Sequence, residues 1–348
     1  MDQPESIKSD ITKPGAIRRK SISLSQAALI KESFLQAKSD LPLLVEPAVD
    51  GLNLAQWAMS NREVIEQRLL TTGAILLRGF NLTTVDEFET FMQSLVGDLL
   101  EYSFRSTPRT QVSGRVYTST EYPAHQTIPL HNEMSYTRNW PMMLGFLCVE
   151  PATEDGETPI ANSRRVLNLI DRSIRDRFAK KQIMYVRNYG DGLDLPWQNV
   201  FQTEDRAEVE AYCGKAGIEF EWKNEDELRT RQACQAVATH PRTGEMVWFN
   251  QAHLFHVSSL KAEVRESLLE AYGGDPPRNA YYGDGSPIED AVLDEIRAAY
   301  AQEEIAFPWQ KGDVLVVDNM LTAHGRRPYR GARKIVVAMG GPFANQAA

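Results

Sequence analysis

Residues 312–337 read GDVLVVDNMLTAHGRRPYRGARKIVV, and this stretch decides which kind of fold the chain is expected to adopt. One apolar run ends at Asp318-Asn319, a polar turn region follows, and a second apolar run returns after it. Short apolar runs bounded by turn residues are typical of buried β-strands. His324 therefore lies at the mouth of a predicted strand pair, a favourable position for a ligand-binding side chain.

Strand-like segments dominate the middle and the end of the chain, for example GAILLRGF (73–80) and MMLGFLCVEP (142–151). Helical spacing is concentrated near the beginning, over 55–70 and 84–96, and in inserted segments. This order is not a regular alternation of strands and helices. It predicts a β-sandwich or β-barrel core with helices packed outside.

Composition and charge restrict the class of protein. The chain has 348 residues, 42% of them hydrophobic, and a formal net charge of −9. An acidic surface argues against nucleic acid or an anionic membrane as the main partner. Three sparse cysteines favour a reducing compartment, and the absence of a signal-like apolar segment favours the cytoplasm. We expect a flexible N-terminal arm over 1–24 and a single domain over 25–348.

The segment PLHNEMSY (129–136) contains a histidine and a carboxylate two residues apart. In a strand, side chains two apart point to the same face, so His131 and Glu133 are predicted to project together. Two histidines and one carboxylate form the facial triad of non-haem Fe(II) oxygenases, and His324 is the best third ligand. A zinc hydrolase would more often have a tetrahedral site with one open position.

The other histidines are weaker candidates. His253 and His256 are three residues apart and could form a metal pair, but no nearby carboxylate completes it, so structural roles are favoured. His125 is placed in a loop, and His240 precedes a proline.

An arginine beyond the last histidine would bind a dicarboxylate co-substrate, because a guanidinium bonds a carboxylate through two parallel hydrogen bonds. Arg333 is on the returning strand and Lys334 points to the opposite face if that strand is regular. Arg326, Arg327 and Arg330 are predicted to lie in a solvated turn.

Three motifs in this order resemble those of the Fe(II)/2-oxoglutarate-dependent dioxygenases of the taurine dioxygenase-like superfamily: HNE (131–133), DGET (155–158) and DNMLTAHGRRPYRGARKI (318–335). The resemblance covers roughly residues 70–345. The runs WFNQAHLFH (248–256) and YYGDGSPI (281–288) are similar to one branch, the aspartyl hydroxylase-like proteins of nonribosomal peptide pathways, such as the syringomycin-biosynthesis type.

The resemblance implies a double-stranded β-helix, or jelly roll, with peripheral helices. It implies that His131, Glu133 and His324 bind Fe(II), and that Thr158 and Arg333 bind 2-oxoglutarate. Many relatives have aspartate where this chain has Glu133. A carboxylate at this position argues against halogenation, since halogenating relatives have a small residue there.

The implied reaction is O₂-dependent hydroxylation of an unactivated C–H bond in natural-product biosynthesis. The implied substrate is an aspartate-like amino acid, either free or tethered to a peptidyl carrier protein. The remaining alternatives are desaturation, cyclisation or small-acid catabolism by the same class, and a binding module without iron chemistry. The candidate substrate contacts are Arg115, Ser119, Gln126, Thr127 and Asn250.

Overall fold

The computed structural model describes residues 29–35, 39–101, 109–190 and 195–345. The predicted N-terminal arm, 1–24, lies outside the described residues. None of the helices in the described ranges is long and apolar enough to cross a lipid bilayer.

The strands of the described residues are, in chain order, β1 (Ile30–Phe34), β2 (Leu43–Pro47), β3 (Ala74–Leu77), β4 (Gln111–Ser113), β5 (Val116–Thr118), β6 (Ile128–His131), β7 (Asn139–Glu150), β8 (Glu154–Asp155), β9 (Ile160–Asn162), β10 (Ile183–Tyr189), β11 (Glu219–Trp222), β12 (Leu228–Cys234), β13 (Val237–Thr239), β14 (Met246–Trp248), β15 (Arg278–Tyr282), β16 (Val314–Asp318), β17 (Thr322–Arg326), β18 (Tyr329–Arg330) and β19 (Lys334–Ala344).

The helices are α1 (Leu54–Ser60), α2 (Arg62–Thr72), α3 (Val85–Val96), α4 (Ser163–Leu169), α5 (Arg172–Lys181), α6 (Trp197–Phe201), α7 (Arg206–Ala216), α8 (Ala252–Phe255), α9 (Ala262–Ala271) and α10 (Asp290–Glu303). A short 3₁₀ helix, Val257–Ser259, joins α8 to α9.

The main sheet runs in the order β1-β2-β3-β16-β7-β19-β5-β4. Only β2 and β3 are parallel among its paired strands, and β16 is hydrogen-bonded to β3 on one side and β7 on the other. All five residues of β16 are buried. A strand covered on both faces is apolar throughout, and β16 accordingly corresponds to the continuous apolar run that opens the stretch 312–337.

A smaller sheet, β6-β17-β9, packs against one face of the main sheet. Phe146 of β7 contacts His324 of β17, with ring centroids 5.0 Å apart. Leu144, Leu315 and Ile160 contribute to the same apolar cluster between the two sheets. Two facing sheets of this kind, with helices outside, form the jelly roll that the resemblance implied, and that prediction is confirmed.

Helices α1 to α3 cover the other face of the main sheet. Thr84 caps α3 through a capping box with Glu87, and Phe88, Phe91 and Leu95 bury one stripe of the helix. The helix predicted over 55–70 is interrupted at Asn61, which ends α1 and begins α2.

The inserted segments between β9 and β16 form a third layer. The sheet β11-β12-β10-β15 packs with α4, α5, α7 and α10 around a separate apolar cluster. This layer, together with α8 and α9, borders the open side of the small sheet.

Candidate metal centre

His131 and His324 are brought together by the small sheet. They are direct partners in the antiparallel pairing of β6 with β17, and their ring centroids lie 4.6 Å apart. With Glu133 they form a cluster in which each residue offers one ligand atom and these atoms all lie within 4.8 Å of one another. The side chains that the sequence placed together therefore do meet.

The reason that Glu133 joins the cluster differs from the prediction. Strand β6 ends at His131, so Glu133 lies in the turn that follows, and Asn132 between them is fully buried. Asn319 holds this turn: its Oδ1 accepts from the Glu133 N–H at 2.8 Å, and its Nδ2 donates to the Glu133 carbonyl at 2.9 Å. Asn132 Nδ2 donates in turn to the Asn319 carbonyl. Strand alternation does not position Glu133; a two-way contact with Asn319 does.

Gly325 follows His324 at an irregularity in the β17–β6 pairing. A Cβ at this position would lie 2.6 Å from the Ile128 carbonyl oxygen, closer than real Cβ contacts. Glycine therefore permits the close approach of the two backbones beside the cluster, as at other β-bulges near functional sites.

The histidines suit a divalent metal. His131 Nδ1 is 2.8 Å from the Pro129 carbonyl oxygen, which can only accept, so Nδ1 carries the proton and Nε2 keeps its lone pair. Burial lowers the pKa of both imidazoles, that of His324 well below its usual value. Two neutral imidazoles and a carboxylate are a donor set that binds Fe(II) with open positions left.

Arg109 is a site residue that the sequence interpretation missed. Its guanidinium lies 2.6 Å from Glu133 Oε2, and both side chains are almost fully buried. Arg109 also lines both cavities that adjoin the cluster. No motif in the sequence singles out Arg109.

The smaller cavity is lined by His131, His324, Thr158 and Arg333. Arg333 Nε donates to the Gly156 carbonyl at 2.8 Å, and Thr158 Oγ1 accepts from Trp309 Nε1 at 3.1 Å. Arg333 and Thr158 thus face one space beside the two histidines. Lys334 is exposed, as predicted, but Arg333 lies just before β19 and not on it, and the strand pairing is irregular between Lys334 and Ile335, so regular strand alternation does not separate the two side chains.

Burial lowers the pKa of Arg333 to about 10, with the neighbouring positive charge of Arg326 as a second cause. The guanidinium is still protonated at neutral pH. A partly desolvated cation of this kind gains more from an anionic partner than a solvated one does.

The larger cavity is a chamber of about 500 Å³ that reaches His131 and Glu133. Its inner end carries Arg109 and Tyr136, and its outer end is formed mostly by apolar side chains of α8, the 3₁₀ helix and α9. A volume of this size matches small-molecule binding sites.

Several predicted substrate contacts lie elsewhere, and these predictions need correction. Arg115 donates to the Leu99 carbonyl and lies 3.5 Å from Glu101, on a different surface. Asn250 is fully buried, where it bonds to the backbone of Ala236 and Ala252.

The other three predicted substrate contacts differ in whether they line a cavity. Thr127 lines the chamber, and Ser119 lines the smaller cavity. Gln126 is exposed and lines neither cavity. Gln251, the neighbour of Asn250, lines the chamber and donates to the Asn132 carbonyl at 2.7 Å.

Arg326 is also placed differently from the prediction of a solvated turn. It is the last residue of β17, and its side chain is buried, donating to the carbonyls of Thr120, Tyr122, Pro123 and Gln126. It therefore fixes the loop that precedes β6. Arg327 and Arg330 are exposed, as expected.

The remaining histidines have contacts of their own. His253 is buried against Tyr300, and its Nε2 lies 2.9 Å from the Leu130 carbonyl. His240 is buried 3.0 Å from Asp318. His256 caps the 3₁₀ helix and lines the chamber. His125 is exposed.

A protein-family model described as taurine catabolism dioxygenase TauD, TfdA family, matches residues 38–339. The chain belongs to this family. Members of the TauD, TfdA family are iron- and 2-oxoglutarate-dependent oxygenases, so the chain is an enzyme of this class and the resemblance seen in the sequence is confirmed.

Two curated relatives support this placement. The dapdiamide synthesis protein DdaC of Enterobacter agglomerans is 45% identical over 276 residues, covering 79% of this chain and 84% of that protein. A clavaminate synthase-like protein of Arabidopsis thaliana is 29% identical over 310 residues, covering 84% and 89%.

A solved structure shares the fold. PvcB, an iron- and α-ketoglutarate-dependent oxygenase from an isonitrile synthetic pathway, superposes with a TM-score of 0.55 at 15% identity, covering 93% of this chain and 96% of its own.

Proposed function

We propose that the enzyme hydroxylates an unactivated C–H bond of an amino acid, free or bound as an aminoacyl group to a carrier protein, in natural-product biosynthesis in the cytoplasm. His131, Glu133 and His324 hold Fe(II), and Thr158 and Arg333 bind the far carboxylate of 2-oxoglutarate.

The convergence of His131, Glu133 and His324 carries this proposal. The cluster lies between two cavities of different character: a small one ending at Arg333 and a chamber of about 500 Å³. A co-substrate and a substrate can therefore approach the same metal from separate sides. A zinc hydrolase would have no use for the buried arginine at the end of the small cavity.

Iron with 2-oxoglutarate supplies, when bound, the O₂-derived oxidant that replaces a C–H bond with C–OH. The residues of the chain hold and shield the reactants. Arg333 offers a cation and Thr158 a hydroxyl to the dicarboxylate, since both face the small cavity. Arg109 lies beside Glu133 and between the two cavities, where its charge can orient an anionic group.

The amino-acid assignment is supported by the sequence branch and by the relative that acts in dapdiamide synthesis. Glu133 supports hydroxylation over halogenation, because a carboxylate occupies the position that chloride would need. No general base is required for this chemistry, and the titratable residues that line the chamber are metal ligands, arginines, Tyr122, Tyr136 and His256.

The test is product analysis with the iron-loaded enzyme, 2-oxoglutarate and O₂. Free amino acids and carrier-bound aminoacyl groups are screened by succinate release, and the product is examined by mass spectrometry. A gain of one oxygen atom supports hydroxylation. A loss of two hydrogens with no oxygen gained would assign desaturation or cyclisation instead.

A further inference from the structure

We infer that the substrate is an amphipathic carboxylic acid larger than a free amino acid, with an apolar segment that binds on Leu260, Val264 and Leu268 and an acidic group that pairs with Arg278. This inference rests on the proposed function and specifies its substrate class. The three apolar residues are called the ledge.

The ledge is apolar surface without a partner in the described residues. Helix α9 has ten residues and none of them is buried. Val264 and Leu268 are four residues apart, so they share one face of α9, and Leu260 precedes that helix. Leu260 is 39% and Val264 50% exposed, yet both line the same chamber as His131 and Glu133. A ligand that reaches the ledge would remove this apolar surface from water.

Charge in the chamber favours an anion, although the whole chain carries a net charge of −9. Arg109 lies at the inner end beside Glu133. Arg278 lies at the outer end, with its guanidinium carbon 5.6 Å from the Phe255 ring centroid. Among the described residues, Glu133 is the single carboxylate that lines the chamber, and the proposed function commits it to the metal.

Size favours an extended molecule. A chamber of about 500 Å³ lies within the range of sites that enclose drug-sized ligands. A free amino acid bound at the inner end would be too short to reach the ledge or Arg278. An acylated or otherwise apolar-extended amino acid would contact both ends.

The first experiment measures binding under anaerobic conditions, with Fe(II) and 2-oxoglutarate present so that no turnover occurs. The probes are aspartate and its N-acetyl, N-butyryl, N-hexanoyl and N-octanoyl derivatives, titrated by calorimetry into the full chain. Affinity should rise with acyl length, by about fourfold for each methylene that the ledge buries fully. Equal affinities across the series would overturn the inference.

A matched pair of variants locates the effect. Val264→Asp places a charge on the ledge and should abolish the dependence on acyl length. Val64→Asp is the control, because Val64 is also an exposed valine at the third position of a helix, α2, and lines no described cavity. If both variants keep the wild-type dependence, or both lose it, the ledge is not the binding surface.

The acidic group is tested separately. Arg278→Gln should lower the affinity for the N-octanoyl acid about tenfold and leave that for its uncharged diamide unchanged. Arg231→Gln, in β12 of the same sheet and near Glu221, is the control. If Arg278→Gln does not fold, the acid and diamide are compared on the wild type, where equal affinities would contradict the inference.

Failure of this inference is distinguishable from failure of the proposed function. An incorrect substrate class would leave iron and 2-oxoglutarate binding intact while the acyl series showed no trend. An incorrect metal site would remove iron binding before any acyl probe was added.

Discussion

His324 lies directly opposite His131 in the pairing of β17 with β6, with the two ring centroids 4.6 Å apart. The separation of the two imidazoles is thus set by the spacing of neighbouring strands and not by long, flexible side chains. The third ligand, Glu133, is held through its backbone by Asn319. The positions of the three ligand residues are therefore set by strand pairing and by the contact of Asn319 with the Glu133 backbone.

Replacement of Asn319 by alanine should weaken metal binding by about 10–100-fold, because Asn319 orients the segment that carries Glu133. The measurement is a titration with Fe(II) or Co(II). Asn250→Ala is the control, since Asn250 is equally buried and bonded to backbone outside the cluster. A similar loss of metal affinity in both variants would show that general destabilisation, and not the contact with Glu133, is responsible.

Replacement of Arg326 by glutamine should lower the free energy of unfolding by about 2–4 kcal/mol, because four carbonyl acceptors lose a charged donor. Urea denaturation gives the stability, and hydrogen exchange should become faster over residues 120–126. Arg327→Gln is the matched control, since Arg327 is exposed and pairs with Glu304. Unchanged exchange in the Arg326 variant would contradict the role assigned to this side chain.

Stability should fall as the pH drops below about 6.5, partly because of His253. Burial lowers the pKa of His253 to about 3, from 6.5 in the unfolded chain. The unfolded state therefore binds more protons across this window, and stability is lost as pH falls, by about 1.4 kcal/mol per pH unit for one such group.

The measurement is urea denaturation of the metal-free protein between pH 7 and pH 4.5. His253→Gln should show a shallower slope than the wild type, and His125→Gln, an exposed control, should follow the wild type. Parallel slopes for all three proteins would mean that His253 does not contribute to the pH dependence.

The three cysteines should be unreactive in the native state. Cys148, Cys213 and Cys234 are free and buried, and burial raises the pKa of their thiols to about 12, about 11 and about 12. Thiolate is the reactive form, so a disulfide reagent should label none of them in buffer and all three in denaturant. Rapid labelling of the folded protein would show that one of these thiols is accessible.

Much of the fold was predictable because the pattern of apolar residues along the sequence indicates which segments are buried. The run DVLVVD is buried on both faces of the main sheet, and Thr84 begins a helix as its capping pattern indicates. The break between α1 and α2 was missed, because Asn61 interrupts a continuous helical spacing through a local cap and not through proline or glycine.

Sequence motifs predicted the site residues whose chemistry they carry. They did not predict the residues whose positions depend on tertiary contacts. His131, Glu133, His324, Thr158 and Arg333 carry the motifs, and the structure places them around one point. Arg115 and Asn250 were polar residues in suggestive segments, but their side chains are bonded elsewhere. The buried positions of Arg109 and Arg326 depend on distant backbone, which no local pattern reports.

The central claim is that His131, Glu133 and His324 bind Fe(II), and that 2-oxoglutarate chelates the same ion. The most direct measurement is the visible absorbance of the anaerobic enzyme with Fe(II) and 2-oxoglutarate, for the wild type and for His324→Ala. We predict a weak charge-transfer band in the wild type that is absent from the variant. A wild type that binds iron but shows no band, or a variant that keeps the band, would contradict the assignment.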